Sequence, residues 1–570
     1  MKILFFLFIC TFRVTILAAQ LFVTPYEKSN GTETATYEAC ISFYKNIAKQ
    51  YPQVTIKTIG TTDAGYPLHV VIYEQKNFKL NQPKVTILIN NGIHAGEPDG
   101  VDASMLFLRD IVTGKMAFPA NIKLAIIPFY NIGGALNRGS YSRVNQEGPL
   151  AYGFRGNAQN LDLNRDFTKC DSKNAQSFAA IFHWLKPHIL LDTHVSDGAD
   201  FQHTMTLLST QHNKLGEATG TFLHQHLEPA LYAAMRQKGW DMIPYVNFEA
   251  ANPAKGWTAF YDAPRYSTGY AALFGTVGFM TETHMLKPFA QRVKSTYDFI
   301  VSLVNETGKH AAELVEAKLQ WQKAIAQKQF FPLQYSNNKE QFDTYVFMGY
   351  ETDTAISNIT QLPIIRYNKQ KPYSKTIQFY NYLQPTAFVK KPKAYIIPAG
   401  WHSVINLLKL NKVELQMLKA DTVCMVEAYK IDSFTTTKMP YEKHYKHSNT
   451  KVTAYTLQKK FLKGDYLVKM GYETDRFVIE MLEPTGEDSY FAWNYFDAIL
   501  QQKEGYSNYR WEPIAEAFLN KHPEIRKQLE EKKAADLLFR QSADAQLQYI
   551  YQLSPYYEPE HKRYPIYRCF

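Results

Sequence analysis

The first half of the chain alternates continuous apolar runs with segments of helical periodicity. Four runs are predicted to be buried strands, at 84–90, 122–130, 187–194 and 275–284. Residues 99–112 ("DGVDASMLFLRDIV") place their apolar side chains at helical spacing and begin with an aspartate. Apolar strands separated by helices are typical of a mostly parallel sheet covered on both faces. We therefore predict an α/β fold in which helices sandwich a mixed, mostly parallel sheet.

The pattern changes near residue 330. A charged helical stretch at 295–328 comes first, and short β-like runs rich in Tyr and Thr follow it. One helix is predicted within that region, at 402–418, and helical periodicity returns at the end of the chain. We predict a first domain over 20–330 and a smaller, β-rich α+β accessory region over 331–570 that becomes helical at its end.

The N-terminus has the pattern of an export signal. The sequence "MKILFFLFICTFRVTILAAQ" has one basic residue, an apolar stretch and small residues before Gln20, which predicts a signal peptide over residues 1–19. Arg13 interrupts the apolar stretch well short of the ~18 residues that a spanning helix needs, which argues against a membrane anchor. We expect an exported protein, periplasmic or extracellular, with no stable membrane anchor after signal removal.

Composition narrows the class of protein. The 570 residues are 45% hydrophobic and 20% charged, which is typical of large globular cores. The net charge of +10 comes from dispersed Lys and Arg, so we expect no nucleic-acid partner. Of the five cysteines, Cys10 lies in the signal, and the other four form no Cys-x-x-Cys pair and are too few in a chain of this size to be a disulfide framework. They allow one bridge or none, and a metal would have to use His and carboxylate ligands. The oligomeric state is not readable.

Three candidate metal ligands fall at predicted strand ends. His94 and Glu97 follow the first strand in "NNGIHAGEPDG", and His194 ends the third. Ligands of such sheets bind beyond the carboxyl ends of the strands. About one His-x-x-Glu is expected by chance in this chain, so the pair alone decides nothing. Together, two imidazoles and a carboxylate are a set that leaves zinc an open position.

Two further segments carry groups suited to peptide chemistry. Asn164 and Arg165, in "LDLNRDF", offer an amide and a planar pair of N–H donors that match a free carboxylate, although alone they would indicate only a solvated turn. Glu282, in "FMTETHM", follows the last strand, where a carboxylate beside a metal can serve as general base. The alternative interpretation is that Glu282 is an acidic residue at the start of a helix. Asp192 is left out of the site, on the ground that neighbouring strand residues face opposite ways.

The motifs "HAGE", "DLNRDF", "DTH" and "FMTET", in that order, resemble the zinc carboxypeptidase family, the M14 metallopeptidases. The resemblance covers about residues 35–305 and makes 20–330 the expected catalytic domain. It implies one Zn²⁺ per chain and a peptide substrate with a free C-terminus. The implied roles are metal ligands for His94, Glu97 and His194, a carboxylate clamp for Asn164 and Arg165, and general base for Glu282.

The resemblance also implies two groups whose positions stay open. One is an Arg upstream of Asn164 that polarises the scissile carbonyl, for which we favour Arg143 over Arg138. The other is a Tyr that covers the substrate. "YDAPRYSTGY" offers Tyr261, Tyr266 and Tyr270, and Tyr266 fits the pattern best.

The sequence thus predicts an exported zinc carboxypeptidase. The alternatives are a zinc amidohydrolase of the aspartoacylase or desuccinylase type, a peptidase of peptidoglycan stems, and an inactive binding module. The complete set of ligands, clamp and base argues against the last. The segment 270–279 has no charge, which favours neutral or apolar terminal residues. The accessory region is expected to shape the cleft or bind a polymer.

Overall fold

A computed structural model of the chain describes residues 22–75, 83–247 and 252–570. The predicted signal peptide, residues 1–19, lies outside this part of the chain. Within the three described ranges, no helix is both long enough and apolar enough to cross a membrane.

An eight-stranded sheet occupies the centre of the first half, with the strand order β1–β2–β4–β3–β5–β9–β6–β7. Its strands are β1 (Val54–Thr61), β2 (Pro67–Tyr73), β3 (Val85–Asn90), β4 (Ile122–Ile127), β5 (Ile189–Ser196), β6 (Met205–Ser209), β7 (Ile243–Pro244) and β9 (Val277–His284), while β8 (Trp257–Thr258) lies outside it. β4, β3, β5 and β9 pair in parallel. β1 and β2 extend the sheet with antiparallel pairs beyond β4, and β6 does so beyond β9. The sheet is therefore mixed with a parallel centre, and the four predicted strands belong to it.

Helices cover both faces of this sheet. They are α1 (Pro25–Lys28), α2 (Tyr37–Gln50), α3 (Asp99–Val112), α4 (Ile132–Leu136), α5 (Lys173–Leu185), α6 (His212–Leu215), α7 (Glu217–Phe222), α8 (Glu228–Gln237), α9 (Ser267–Ala272), α10 (Phe289–Lys309) and α11 (Ala311–Gln327). Ile87 and Ile89 contribute to the core shared with α3 and α10, whereas Leu88 contributes to the core shared with α5. This alternation follows from the two-residue period of a strand. The predicted fold class is confirmed.

Residues 331–570 form β-hairpins, a second sheet and terminal helices. The strands are β10 (Phe330–Asn337), β11 (Asp343–Ile356), β12 (Pro363–Tyr380), β13 (Leu383–Lys390), β14 (Ala394–Ile397), β15 (Gln416–Met417), β16 (Thr422–Thr436), β17 (His447–Phe461), β18 (Tyr466–Lys469) and β19 (Tyr567–Cys569). The helices are α12 (His402–Leu410), α13 (Asp475–Leu482), α14 (Asn508–Lys521), α15 (Pro523–Ala535), α16 (Leu537–Arg540) and α17 (Ala543–Leu553). The predicted helix 402–418 is too long. It ends at Leu410 because Lys412 adopts a left-handed φ of 58° and the next residues enter β15.

The two halves of the chain share an apolar core. The core beneath α5 also contains Tyr395, Val404 and Phe477 from the second half. The ring of Phe477 stacks on that of Phe274, with centroids 5.2 Å apart. The four cysteines of the described residues are free thiols, so packing rather than a disulfide joins the halves. The predicted boundary at residue 330 lies at the start of β10, and the division into two domains stays a prediction.

The shared core predicts that a cavity in the second half destabilises the protein as a whole. Phe477→Ala should lower the free energy of unfolding by about 3–5 kcal/mol, because it removes a fully buried ring that its neighbours cannot replace. Denaturant unfolding measures the change. Leu538→Ala, at a side chain that is 80% exposed, is the control and should shift stability by no more than about 0.5 kcal/mol. Equal midpoints for the two variants would contradict the shared core.

Candidate metal centre and cleft

The carboxyl ends of β3, β5 and β9 bring the predicted site residues together. β5 and β9 are parallel neighbours whose register places His194 beside Glu282, so both side chains leave the same face of the sheet. The loop after β3 carries His94 and Glu97. All four residues line one cavity of about 390 Å³, together with Arg143, Asn164, Arg165 and Tyr266. Every residue favoured from the sequence for this site therefore lines the cavity.

His94, Glu97 and His194 converge on one point. Their candidate ligand atoms all lie within 4.8 Å of one another, and all three side chains are buried. The two Nδ1 atoms are 3.2 Å apart, and each is within 3.2 Å of a Glu97 carboxylate oxygen. The backbone N–H of Val195 donates to the second Glu97 oxygen over 2.9 Å, which fixes the carboxylate. Two ring nitrogens and one carboxylate fit the ligand set of a catalytic zinc.

A carboxylate stands behind each imidazole. Nε2 of His94 lies 2.9 Å from Oδ1 of Asp162, and Nε2 of His194 lies 3.1 Å from Oδ2 of Asp192. Such carboxylates fix the orientation and tautomer of a metal-binding histidine. The prediction that Asp192 lies outside the candidate site is wrong. Residues 192 and 194 are two apart on β5, so their side chains share a face of the sheet. Asp162 was missed, although it lies within the quoted motif "DLNRDF".

The charges in the cavity favour a cation between the imidazoles. Burial raises the pKa of Glu282 to about 8, and Glu97 adds to that rise while His194 opposes it. Burial alone would lower the pKa of His194, but the carboxylates of Asp192 and Glu97 raise it well above its usual range. Burial would raise the pKa of Glu97, but His94 and Arg143 hold it well below its usual range. The raised pKa of His194 means that the carboxylates around its ring stabilise positive charge at that position.

Two arginines border the metal position. Nη1 of Arg143 donates to Oε1 of Glu97 over 3.0 Å, and its Nη2 donates to the carbonyl of Val195. Arg138 instead donates to the carbonyl of Thr34, outside the cavity, so the structure separates the two candidates. Arg155 was missed. It lines the cavity and binds Asp162 through Nη2 over 2.8 Å.

Asn164 and Arg165 lie in a short 3₁₀ turn, Leu163–Arg165, whose N-terminus Asp162 caps by accepting from the N–H of Asn164 over 2.9 Å. Oδ1 of Asn164 accepts from the N–H of Ser267, which leaves the Nδ2 end of the amide to donate elsewhere. The guanidinium of Arg165 stacks over the ring of Tyr266, 4.6 Å from its centroid. The arrangement presents an amide and a stacked guanidinium to one cavity.

The three candidate tyrosines have different environments. Only Tyr266 of the three lines the cavity. Tyr270 is fully buried and donates to Oδ1 of Asn411 over 2.7 Å, and Tyr261 packs under the ammonium of Lys214. Tyr245, which follows β7, also lines the cavity and was missed, since no motif surrounds it.

The loop between β3 and α3 approaches its neighbours closely. A Cβ at Gly96 would lie 2.7 Å from Cδ of Arg143 and 2.8 Å from the carbonyl oxygen of Gly153. Helix α3 begins at Asp99, as predicted. Asp99 is more than a helix-start acid, because its buried carboxylate accepts from Arg292 over 3.0 Å and from Thr283, the residue after Glu282. These contacts hold the ligand loop against β9.

The chain is similar to known carboxypeptidases. Residues 40–187 match the family model for zinc carboxypeptidase, peptidase M14. The chain is similar to carboxypeptidase 2 of Trichophyton rubrum (22% identity over 529 residues, 84% of this chain and 88% of the relative) and of Trichophyton equinum (21% over 516 residues, 82% and 86%). One similar solved structure is a metallo-carboxypeptidase from Burkholderia cenocepacia, with 16% identity and a TM-score of 0.36 over 48% of this chain and 70% of that one. Another is carboxypeptidase A from Helicoverpa armigera, with 16% identity and a TM-score of 0.37 over 49% of this chain and 74% of that one.

The metal position can be tested by elemental analysis. His94→Ala should lose the bound ion, because it removes one of three ligands. Asp162→Asn keeps all three ligands and should still bind zinc, but about 10–100-fold more weakly, because Asp162 orients only the back of the His94 ring. Titration against a chelator measures both affinities. Wild-type affinity in His94→Ala would contradict the ligand assignment, and wild-type affinity in Asp162→Asn would contradict the orienting role.

Proposed function

Because this chain belongs to the zinc carboxypeptidase family, peptidase M14, as its motifs predicted, we propose that it is an exported enzyme that removes C-terminal residues from peptides. One observation carries the proposal. Three metal ligands, a buried carboxylate beside them and an Asn–Arg pair all line one cavity. The signal-like N-terminus, residues 1–19, supports export.

The residues divide the chemistry between them. His94, Glu97 and His194 would hold a zinc ion, which would supply Lewis-acid polarisation of the scissile carbonyl and a lower pKa for water. In its ionised form, Glu282 accepts a proton from the attacking water and delivers it to the leaving amine. Its position beside His194 in the β5–β9 register suits that role. Arg143 stabilises the negative charge that develops on the carbonyl oxygen.

The clamp selects the end of the peptide. Arg165 and Asn164 hold the terminal carboxylate, and Tyr266 supports the guanidinium by stacking against it. Three apolar side chains, Leu208, Phe260 and Met280, line the same cavity. This wall supports a preference for a neutral or apolar terminal residue.

A peptidase is favoured over the amidohydrolase alternative by relatives named as carboxypeptidases that align with more than four-fifths of the chain. A peptidoglycan stem peptide also ends in a free carboxylate, so the same clamp would accept it. The intact ligand set and buried Glu282 argue against an inactive binding module.

Glu282→Gln separates catalysis from metal binding. The variant should keep its zinc, because Glu282 is not among the three ligands. Its turnover should fall by at least the ~10²-fold typical of a lost general base, because an amide cannot accept the proton. Metal analysis and single-turnover kinetics measure the two effects. Glu217→Gln, at an exposed acid outside the catalytic cavity, is the matched control. Loss of zinc, or turnover equal to the control, would remove Glu282 from this role.

Arg165→Lys tests the clamp. The variant should lose kcat/KM on a free-C-terminal peptide by an amount equivalent to about 2–5 kcal/mol, because a single ammonium cannot reproduce the paired N–H donors. The wild type should discriminate strongly against the C-terminal amide of the same peptide. Arg236→Lys, at a side chain that is 70% exposed, is the matched control. Equal cleavage of amidated and free peptides would overturn the clamp and favour an amidohydrolase or an endopeptidase.

A further inference from the structure

A turn in the second half of the chain has an unusual backbone. Tyr441–His444 lies in the connection between β16 and β17, and Tyr441 and His444 exchange backbone hydrogen bonds of 2.7 and 3.1 Å. The two central residues, Glu442 and Lys443, have φ values of 47° and 75°. Neither is glycine, so both adopt a conformation that costs L-residues free energy. Such residues persist where the surrounding structure fixes them, frequently at functional sites.

The contacts that fix this turn come from the catalytic half. Nε2 of His444 lies 2.7 Å from Oδ2 of Asp171. Oε2 of Glu442 accepts from the backbone N–H of Asp162 over 2.8 Å. The turn therefore contacts the segment that contains the clamp.

Asp162 is the residue through which these contacts reach the metal position. Its Oδ1 lies 2.9 Å from both Nε2 of His94 and the N–H of Asn164, and its Oδ2 binds Arg155. One carboxylate thus orients a metal ligand and caps the turn that carries the clamp. Any movement of the Asp162 backbone would shift both, since the side chain is short and 12% exposed.

A second contact from the same half holds the other side of the clamp. Arg265 precedes Tyr266, and its backbone N–H and Nη1 both donate to the buried carboxylate of Asp488, over 2.9 and 2.7 Å. Nζ of Lys446 donates to the carbonyl of Glu487, which joins this loop to the turn. Both sides of the clamp are therefore anchored to residues 441–488.

We propose that the turn Tyr441–His444 supports the active site from behind and that Glu442 is a positioning residue for Asp162, and through it for His94 and the Asn164–Arg165 clamp. The proposal rests on the proposed function for its substrate. Glu442 touches no reacting atom. It fixes the backbone from which the metal ligand and the clamp are both oriented, so the accessory region completes the catalytic half.

The experiment compares Glu442→Ala with Glu442→Gln in the full-length chain. The alanine removes the acceptor of the Asp162 N–H, whereas the glutamine keeps an oxygen acceptor at the same reach and should largely restore the wild-type values. Glu531→Ala, on α15 at a side chain that is 65% exposed, is the matched control. Zinc affinity by chelator competition, KM and kcat on a free-C-terminal peptide, and thermal unfolding are measured for all four proteins.

Glu442→Ala should weaken zinc binding and raise KM, each by about tenfold, the lower end of the effect of losing a partner that orients a ligand. The effect on KM should exceed the effect on kcat, since the clamp binds the substrate before reaction. A purely structural role would lower the thermal midpoint without changing the zinc affinity or KM of the folded protein. That result would overturn the proposal.

The outcomes separate this proposal from the proposed function. If the wild type is active and Glu442→Ala matches it in zinc affinity and KM, the positioning role is wrong and the function stands. If the wild type cleaves no peptide, the function is wrong, and the zinc affinities still decide the positioning role. If Glu442→Ala fails to fold, His444→Ala is measured instead, which removes the contact of the turn with Asp171. This variant should also weaken zinc binding. Wild-type zinc affinity in His444→Ala would overturn the proposal.

Discussion

The parallel pairing of β3, β5 and β9 is the constraint on which the rest of the structure depends. In a parallel sheet the strands end at the same edge, so loops that follow them meet there. The β5–β9 register then sets His194 beside Glu282, and the loop after β3 brings His94 and Glu97 to the same point. Residues nearly 190 positions apart become neighbours without any local sequence signal that joins them.

That edge is electrostatically demanding, because the carboxylates of Glu97 and Glu282 are buried around a cavity of about 390 Å³. Charge of this kind is stable only when each group is paired or hydrogen-bonded. Glu97 is held by Arg143 and the N–H of Val195, and Asp162 by Arg155. The Glu97 carboxylate lies beside the imidazoles of His94 and His194, so a divalent cation would be stabilised at the position between these three side chains.

The second half of the chain packs directly against the first half. It shares the core beneath α5, and its buried Asp488 and the turn at 441–444 contact the loops around Asn164 and Arg165. A hairpin whose tip carries two left-handed, non-glycine residues is held by the loop it contacts rather than by its own turn preference. The loops that line the cleft are therefore held in place by contacts from the second half of the chain.

The sequence by itself determined the strand positions of the sheet, the helix at 99–112, the family and the candidate ligands, clamp and base. These features are local. Each is carried by a run of apolar residues or by a motif of a few residues, whose period or spacing survives without the fold. Only the tertiary structure decided the partners: Asp192 behind His194, Asp162 and Arg155 around the clamp, Tyr245 in the cleft and Glu442 on Asp162. These are contacts of side chains and backbone across strand faces, or between residues up to 280 positions apart. Their geometry is set by packing and register, which no short pattern in the sequence encodes.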